Sequence, residues 1–153
     1  MLTHRAKYAI KALLHLARHQ GDGPVQASAI AAAEAIPHKF LEAILIQLRH
    51  KGIVRSKAGK GGGHALAKAP GEIDILSVIR AIDGPVAPLP CLSHTAYQRC
   101  SDCVSEATCG VRRVLAQAHE TLVEHLARKS LLDGLESAQK PARRPGRPAS
   151  RTA

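Results

Sequence analysis

Pro37-His38-Lys39-Phe40-Leu41-Glu42-Ala43-Ile44-Leu45-Ile46-Gln47-Leu48-Arg49-His50-Lys51-Gly52, continuing as Ile53-Val54-Arg55-Ser56-Lys57-Ala58-Gly59-Lys60-Gly61-Gly62-Gly63-His64-Ala65-Leu66-Ala67-Lys68, is the stretch whose reading decides the fold. In its first half Phe40, Leu41, Ile44, Leu45 and Leu48 recur at helical spacing and mark the buried face of a helix over 37–50. Pro37 suits the first helical position, where a missing N–H removes no bond. Lys51-Gly52 stops the helix, with Gly52 as its C-terminal cap. The period then changes. Residues 53–57 and 64–68 read as two strands around a flexible glycine-rich tip, and Ala69-Pro70-Gly71 closes the hairpin.

Working outward from this block, Ala6, Ala9, Ile10, Leu13, Leu14 and Ala17 place a helix over 3–19, ended by Gly21-Asp22-Gly23-Pro24. Val25-Gln26 can form one short extended pair, and residues 28–35 form a short alanine-rich helix. The order is therefore helix, short helix, turn, helix, hairpin. On the other side, Asp74 is the expected N-cap of a helix through Ile75, Val78, Ile79 and Ile82, ended by Asp83-Gly84-Pro85. Residues 84–109 read as an irregular loop. A long helix over about 110–128 carries Val114, Leu115, Ala118, Leu122 and Leu126 on one face, and Ser130-Leu131-Leu132 starts a last short turn. The expected fold is mainly α with a small β-hairpin wing, a winged helix–turn–helix followed by a long C-terminal helix. Its expected divisions are 1–84 (winged-helix unit), 85–109 (cysteine loop), 110–136 (long helix) and 137–153 (disordered basic tail).

Composition agrees with this reading. Hydrophobic residues make up 45% of the chain but aromatics only 2%, so the core is built from Ala, Leu, Ile and Val, which favours helices over an all-β fold. The formal net charge of +10 favours a polyanionic partner, of which nucleic acid is the commonest. No apolar run is long enough for a bilayer, so no membrane partner is expected. Met1-Leu2-Thr3-His4-Arg5 lacks the apolar segment of a secretion signal, so the expected location is the cytoplasm.

The second helix of the pair would enter the major groove of double-stranded DNA, presenting His38, Lys39, Glu42, Ala43 and Gln47 outward. Lys39 can reach phosphate or guanine. Glu42 repels phosphate unless it accepts from cytosine N4 or pairs with Lys39 or Arg49; the alternative is a solvated charge. The wing offers Arg55, Ser56, Lys57, Lys60 and Gly61 to the DNA backbone, its glycines letting the chain approach phosphates closely. The alternative there is a loose hairpin tip. Gly59-Lys60-Gly61 lacks the spacing of a nucleotide-binding P-loop.

Leu2-Thr3 with Tyr8-Ala9, Phe40-Leu41-Glu42, Gly52-Ile53-Val54-Arg55-Ser56, Gly59-Lys60-Gly61-Gly62-Gly63 and Ile79-Arg80-Ala81-Ile82-Asp83-Gly84 together resemble the IscR/NsrR-type (Rrf-two) transcriptional regulators, over Met1 to about Leu135. The resemblance implies a homodimeric winged-helix regulator, here expected to repress, whose long C-terminal helices cross to make the dimer. It also implies promoter operators as the DNA partner. Such proteins often carry Arg before the wing glycine and Tyr after the glycine triplet, where this chain has Ala58 and His64.

All four cysteines, Cys91, Cys100, Cys103 and Cys109, fall in the loop before the long helix. Four thiolates suit an iron–sulfur cluster or, as the lesser expectation, zinc. Several members of the family hold an iron–sulfur cluster on cysteines in this loop, separated by five residues, a spacing Cys103 and Cys109 reproduce. The further family cysteine is Cys91 or Cys100. One member uses a His three residues after the last cysteine and others an acid before the N-terminal Tyr-Ala; this chain has Arg112 and Lys7 there. A cluster is then expected on four cysteines, or on three and another group, with His94 nearest.

The metal-free alternative is a thiol switch, with Cys100-x-x-Cys103 able to close a disulfide and Arg99, Arg112 and Arg113 lowering thiolate pKa values. A small thiol–disulfide enzyme is the rival from another class; it needs a βαβ context that the sequence does not offer, so no catalytic residue is assigned. His4, His15, His19, His50, His64, His119 and His125 are scattered and read as surface or helix-face residues. In the tail, Arg143-Arg144-Pro145-Gly146-Arg147-Pro148 is similar to a minor-groove AT-hook, with a generic basic tail as the alternative.

Overall fold

The computed structural model describes residues 2–139. Six α-helices and one hairpin make up these residues: α1 (His4–Arg18), α2 (Ala27–Glu34), α3 (His38–His50), β1 (Val54–Lys57), β2 (Gly63–Leu66), α4 (Ile75–Asp83), α5 (Gly110–Ala127) and α6 (Leu131–Gln139). Short 3-10 turns lie at Pro70–Glu72 and Pro90–Leu92. The basic tail beyond residue 139, with its Gly-Arg-Pro motif, lies outside the described residues.

The core forms where α1 crosses α2, α3, α4 and α6. Ala6, Ala9 and Ala12 are fully buried on α1, and their small side chains bring the helix axes together around Leu13, Ile30, Leu41, Ile44, Leu48, Val78 and Leu131. Thr3 caps α1 by accepting from the Ala6 N–H at 3.2 Å, and its own N–H donates to the Asp83 carboxylate at the end of α4. Asp74 caps α4 as expected, accepting from the Ser77 N–H at 2.7 Å. The Glu34 carboxylate at the end of α2 receives Arg18 at 3.0 Å and His15 at 3.4 Å from α1.

Three expectations are corrected. Phe40 is 54% exposed rather than buried. At 100° per residue it stands about a quarter turn from the centre of the Leu41–Ile44–Leu45–Leu48 face, and Ile36, 4% exposed, is buried just ahead of the helix instead. Pro37 sits at the N-cap of α3, one place before the expected position.

The third correction concerns the end of the segment 110–136: the long helix closes at Ala127, close to the expected 128, but the short turn expected at Ser130-Leu131-Leu132 opens a second helix. After α5 the chain turns at Arg128–Ser130, and α6 folds back onto α1, running to Gln139 and so into the segment expected to be disordered. A reciprocal cap starts α6: the Ser130 hydroxyl accepts from the Asp133 N–H at 3.3 Å, and the Asp133 carboxylate accepts from the Ser130 N–H at 2.9 Å. The Ser130 N–H, the Ser130 hydroxyl donating at 2.7 Å and Lys129 at 3.1 Å hold the Asp133 carboxyl well below the usual carboxylate range. Backbone bonds from Ile75 N–H to the Lys129 carbonyl (2.7 Å) and from Leu131 N–H to the Ile73 carbonyl (3.0 Å) tie this corner to the start of α4. The final helix is therefore part of the winged-helix core. Leu131→Ala removes a fully buried side chain there and is expected to destabilise the protein by about 2–5 kcal/mol in urea denaturation.

Candidate nucleic-acid interface and cysteine loop

With Leu41, Ile44, Leu45 and Leu48 turned into the core, the opposite side of α3 is open to solvent, and β1 packs against the helix. His38, Lys39, Glu42 and Ala43 are all exposed. The partner of Glu42 is His38, 3.6 Å away, and not Lys39 or Arg49. Gln47 is drawn aside: its amide nitrogen donates to the Ala81 carbonyl of α4 at 2.7 Å, and its oxygen accepts from Arg5 at 3.0 Å. That amide fastens α3 to α4 and α1, so it is not free to read a base as the sequence suggested. In its stead the open stripe carries Ile46, half exposed, which the sequence reading passed over. The signal was present, since Ile46 lies off the apolar repeat of its own helix.

The hairpin pairs in the register Val54↔Leu66, Arg55↔Ala65, Ser56↔His64 and Lys57↔Gly63. Arg55, Ser56, Lys57, Lys60 and Gly61 are exposed. A reciprocal backbone pair between Val25 and His64, 2.8 Å in each direction, fastens the wing to the segment before α2, so the expected short extended pair at Val25 is present and binds the return strand. Two of the glycines serve this packing. A Cβ on Gly62 would lie 2.3 Å from the Lys57 carbonyl oxygen, and one on Gly63 would lie 2.5 Å from the Val25 carbonyl oxygen. These two glycines admit protein backbone, while Gly59 and Gly61 at the tip have open space beside them. His64 meets the Ser56 hydroxyl through Nδ1 at 3.0 Å, and partial burial, followed by the nearby Arg49 charge, pushes its pKa below the usual histidine range.

The cysteine loop connects the head to α5. Cys91 is buried on the Pro90–Leu92 turn, and Cys100, Cys103 and Cys109 are partly exposed, all as free thiols. Cys91 is the sulfur neighbour that acts on Cys100, and Cys109 the one that acts on Cys103. The neighbouring Cys91 side chain, followed by partial desolvation, raises the pKa of Cys100, and partial desolvation followed by the neighbouring Cys109 raises that of Cys103. At Cys100 and Cys103 the expected lowering by arginines is thus overridden. The guanidinium groups are directed at loop carbonyls: Arg99 at Cys103 O (3.3 Å), Arg112 at Cys91 O (3.4 Å) and Arg113 at Ala107 O (3.0 Å). Cys109 also caps α5, its Sγ accepting from the Arg112 N–H at 3.4 Å. His119, buried on α5, meets the Val86 carbonyl through Nε2 at 2.6 Å, and the His94 ring lies 5.5 Å from the His119 ring. His119 and His15 lie on helix faces, as expected, but on buried ones, with His15 3.4 Å from the Glu34 carboxylate.

Four thiols have the right chemistry for a soft metal or a cluster. Their arrangement does not match it: among the described residues no three His, Cys, Asp or Glu side chains gather as a metal site. No helix among the described residues is long and apolar enough to cross a membrane.

A helix–turn–helix with an open outer stripe, continued by a basic hairpin locked against it, defines a winged-helix DNA-binding protein. The family model described as "Iron-dependent Transcriptional regulator" matches residues 2–136, and the chain belongs to that family, Rrf2. It is similar to an rrf2-like HTH-type transcriptional regulator of Rhodobacter capsulatus, 44% identical over 86% of this chain and 92% of that protein. Among solved structures it is similar to the IscR of T. potens, with a TM-score of 0.71 and 25% identity over 93% of each chain. The fold is also that of CymR, the global cysteine regulator of B. subtilis, with a TM-score of 0.74 over 90% of this chain and 97% of that one, at 24% identity. These relatives regulate transcription, and the thiol–disulfide enzyme reading is set aside: Cys100 and Cys103 lie in a loop with no strand on either side of it.

Proposed function

We propose that the protein is a homodimeric, cytoplasmic repressor whose two α3-and-wing heads grip promoter half-sites and whose cysteine loop sets their spacing. The observation that carries the sensing part is the wiring of the loop. Cys109 caps α5, and Arg112 of α5 holds the Cys91 carbonyl, so a change at the sulfurs acts directly on the N-terminal end of that helix. Half-sites lie about 34–36 Å apart or at a multiple, so a small movement of α5 alters whether both heads engage.

The dimer reading rests on α5. Val111, Val114 and Leu122 are 61%, 76% and 49% exposed on one apolar stripe. Leu115, Ala118, Leu122 and Leu126 also line a groove of about 540 Å³ against Ile75 and Ile79 of α4. A second copy of α5 supplies the matching apolar surface.

The family description as iron-dependent and the five-residue spacing of Cys103 and Cys109 favour an iron–sulfur cluster, held by those two cysteines with Cys91, Cys100 or both; zinc is the lesser candidate. Such a cluster requires the two thiol pairs to be drawn together. A second reading is favoured by the pairs themselves. Each can close as a disulfide, two thiols and one hydrogen peroxide giving one S–S bond and two waters.

Anaerobic purification followed by an absorbance spectrum separates the two. Visible absorbance with iron and acid-labile sulfide supports the cluster, and a colourless, metal-free protein supports the thiol switch. In metal-free protein treated with peroxide, peptide mass spectrometry is expected to find Cys91 joined to Cys100 and Cys103 joined to Cys109. A Cys100–Cys103 link instead would contradict the pairing. Operator affinity that ignores Cys103→Ala with Cys109→Ala would remove the loop from regulation.

A further inference from the structure

The outer stripe of α3 holds one large apolar side chain, and the mechanism above makes no use of it. Ile46 is 50% exposed, while Leu41, Ile44, Leu45 and Leu48 bury the other side of the helix completely or nearly so. Taken from Lys39, the residues at i+3, i+4 and i+7 are Glu42, Ala43 and Ile46. This is the spacing at which a homeodomain's third helix meets base edges, four side chains on one face. The stripe runs roughly 10 Å along the helix axis, enough to cross about three base pairs. Phe40, also exposed, stands on the flank, and Gln47 is held by α4.

An isoleucine on this face has no hydrogen bond to give or accept. Against guanine, adenine or cytosine it would cover a donor or acceptor without replacing the water bound there. Thymine alone presents a methyl group in the major groove, on C5. Ala43, one turn back, is small enough to let the base edge come close. Lys39 on the same stripe and Arg55, Lys57 and Lys60 on the wing make the surroundings cationic, which fits a polyanion better than an apolar protein partner.

We propose that Ile46 is a specificity-determining residue that reads a thymine methyl group in each operator half-site. The proposal rests on the reading of α3 as the helix that enters the groove.

The test uses the full-length protein and duplexes it selects from a random-sequence library, with each thymine replaced in turn by deoxyuridine, which lacks only the methyl. The wild type is expected to lose affinity about fourfold at one position per half-site, the weight of one buried methyl-sized group, and roughly fifteenfold when both half-sites are changed. Ile46→Ala is expected to bind the thymine and deoxyuridine duplexes equally at that position, with the salt dependence of binding unchanged. Ile46→Val, which keeps a branched apolar tip, is expected to retain discrimination. A wild type indifferent to deoxyuridine everywhere overturns the proposal, as does an Ile46→Ala protein that still discriminates at the same position. In either case sequence-selective binding persists and the DNA reading stands. A wild type that selects no duplex at all overturns that reading and this one with it. Because Ile46 is exposed and outside the core, its variants are expected to keep the wild-type circular dichroism spectrum and melting temperature.

Discussion

Leu122→Glu is expected to purify as a folded monomer that binds an operator at least about a hundredfold more weakly than the wild type, the loss that follows when two linked heads become independent. Leu122 is half exposed in the single chain, so the change opens no cavity within it. In the proposed dimer the same position would face apolar surface, and an unpaired carboxylate buried there costs several kcal/mol. Sedimentation equilibrium reads the oligomeric state, circular dichroism the fold, and a gel-shift titration the affinity. A variant that stays dimeric would show that α5 does not carry the contact. The exposure of Val111 and Val114 on the same stripe makes Val114→Glu an independent check.

Gly63→Ala is expected to release the wing. The new Cβ would fall 2.5 Å from the Val25 carbonyl oxygen and 2.6 Å from its carbon, both backbone atoms, so no side-chain adjustment can relieve it. The Val25–His64 pair would open and β2 would leave its register. Strain of this kind costs on the order of 1–3 kcal/mol in folding. The larger effect falls on DNA. In the proposed dimer Arg55, Lys57 and Lys60 of both protomers lose their placement, so the slope of log affinity against log salt is expected to become shallower by up to about 5, with affinity falling about a hundredfold or more at physiological salt. Gly71→Ala is the control: its Cβ would meet only the Leu132 side chain, at 3.8 Å, and affinity should be unchanged. A Gly63→Ala protein with wild-type salt dependence would remove the wing from DNA contact.

Much of the head was legible in one dimension. Helices α1 to α4 lie within a few residues of where the apolar repeat and the stop signals put them, because those signals act within a turn or two of backbone. Asp74 as a cap and Gly59–Gly63 as a tip are local chemistry of the same kind. The interface was legible as a helix and a wing, but not residue by residue. Gln47 and Ile46 are neighbours in sequence with opposite fates, since the carbonyls of Ala81 and Ile82 happen to stand beside one and solvent beside the other. Glu42 takes His38 because an i,i+4 pair on one helix needs no other element.

The cysteine loop was legible as a concentration of sulfur and no further. Spacing could nominate Cys103 and Cys109 together but could not choose a partner for Cys91. That partner depends on a loop that returns along α5, with arginines holding its carbonyls.

From the amino-acid sequence alone came the winged-helix order, the basic surface and the four thiols ahead of a long helix, all of them properties of periodicity, charge and composition. Tertiary structure alone decided that the last helix belongs to the core, that two wing glycines face protein backbone, which residues of α3 are free, and which sulfurs are neighbours. Each of those outcomes depends on which distant segment arrives at a given surface, and no local pattern carries that information.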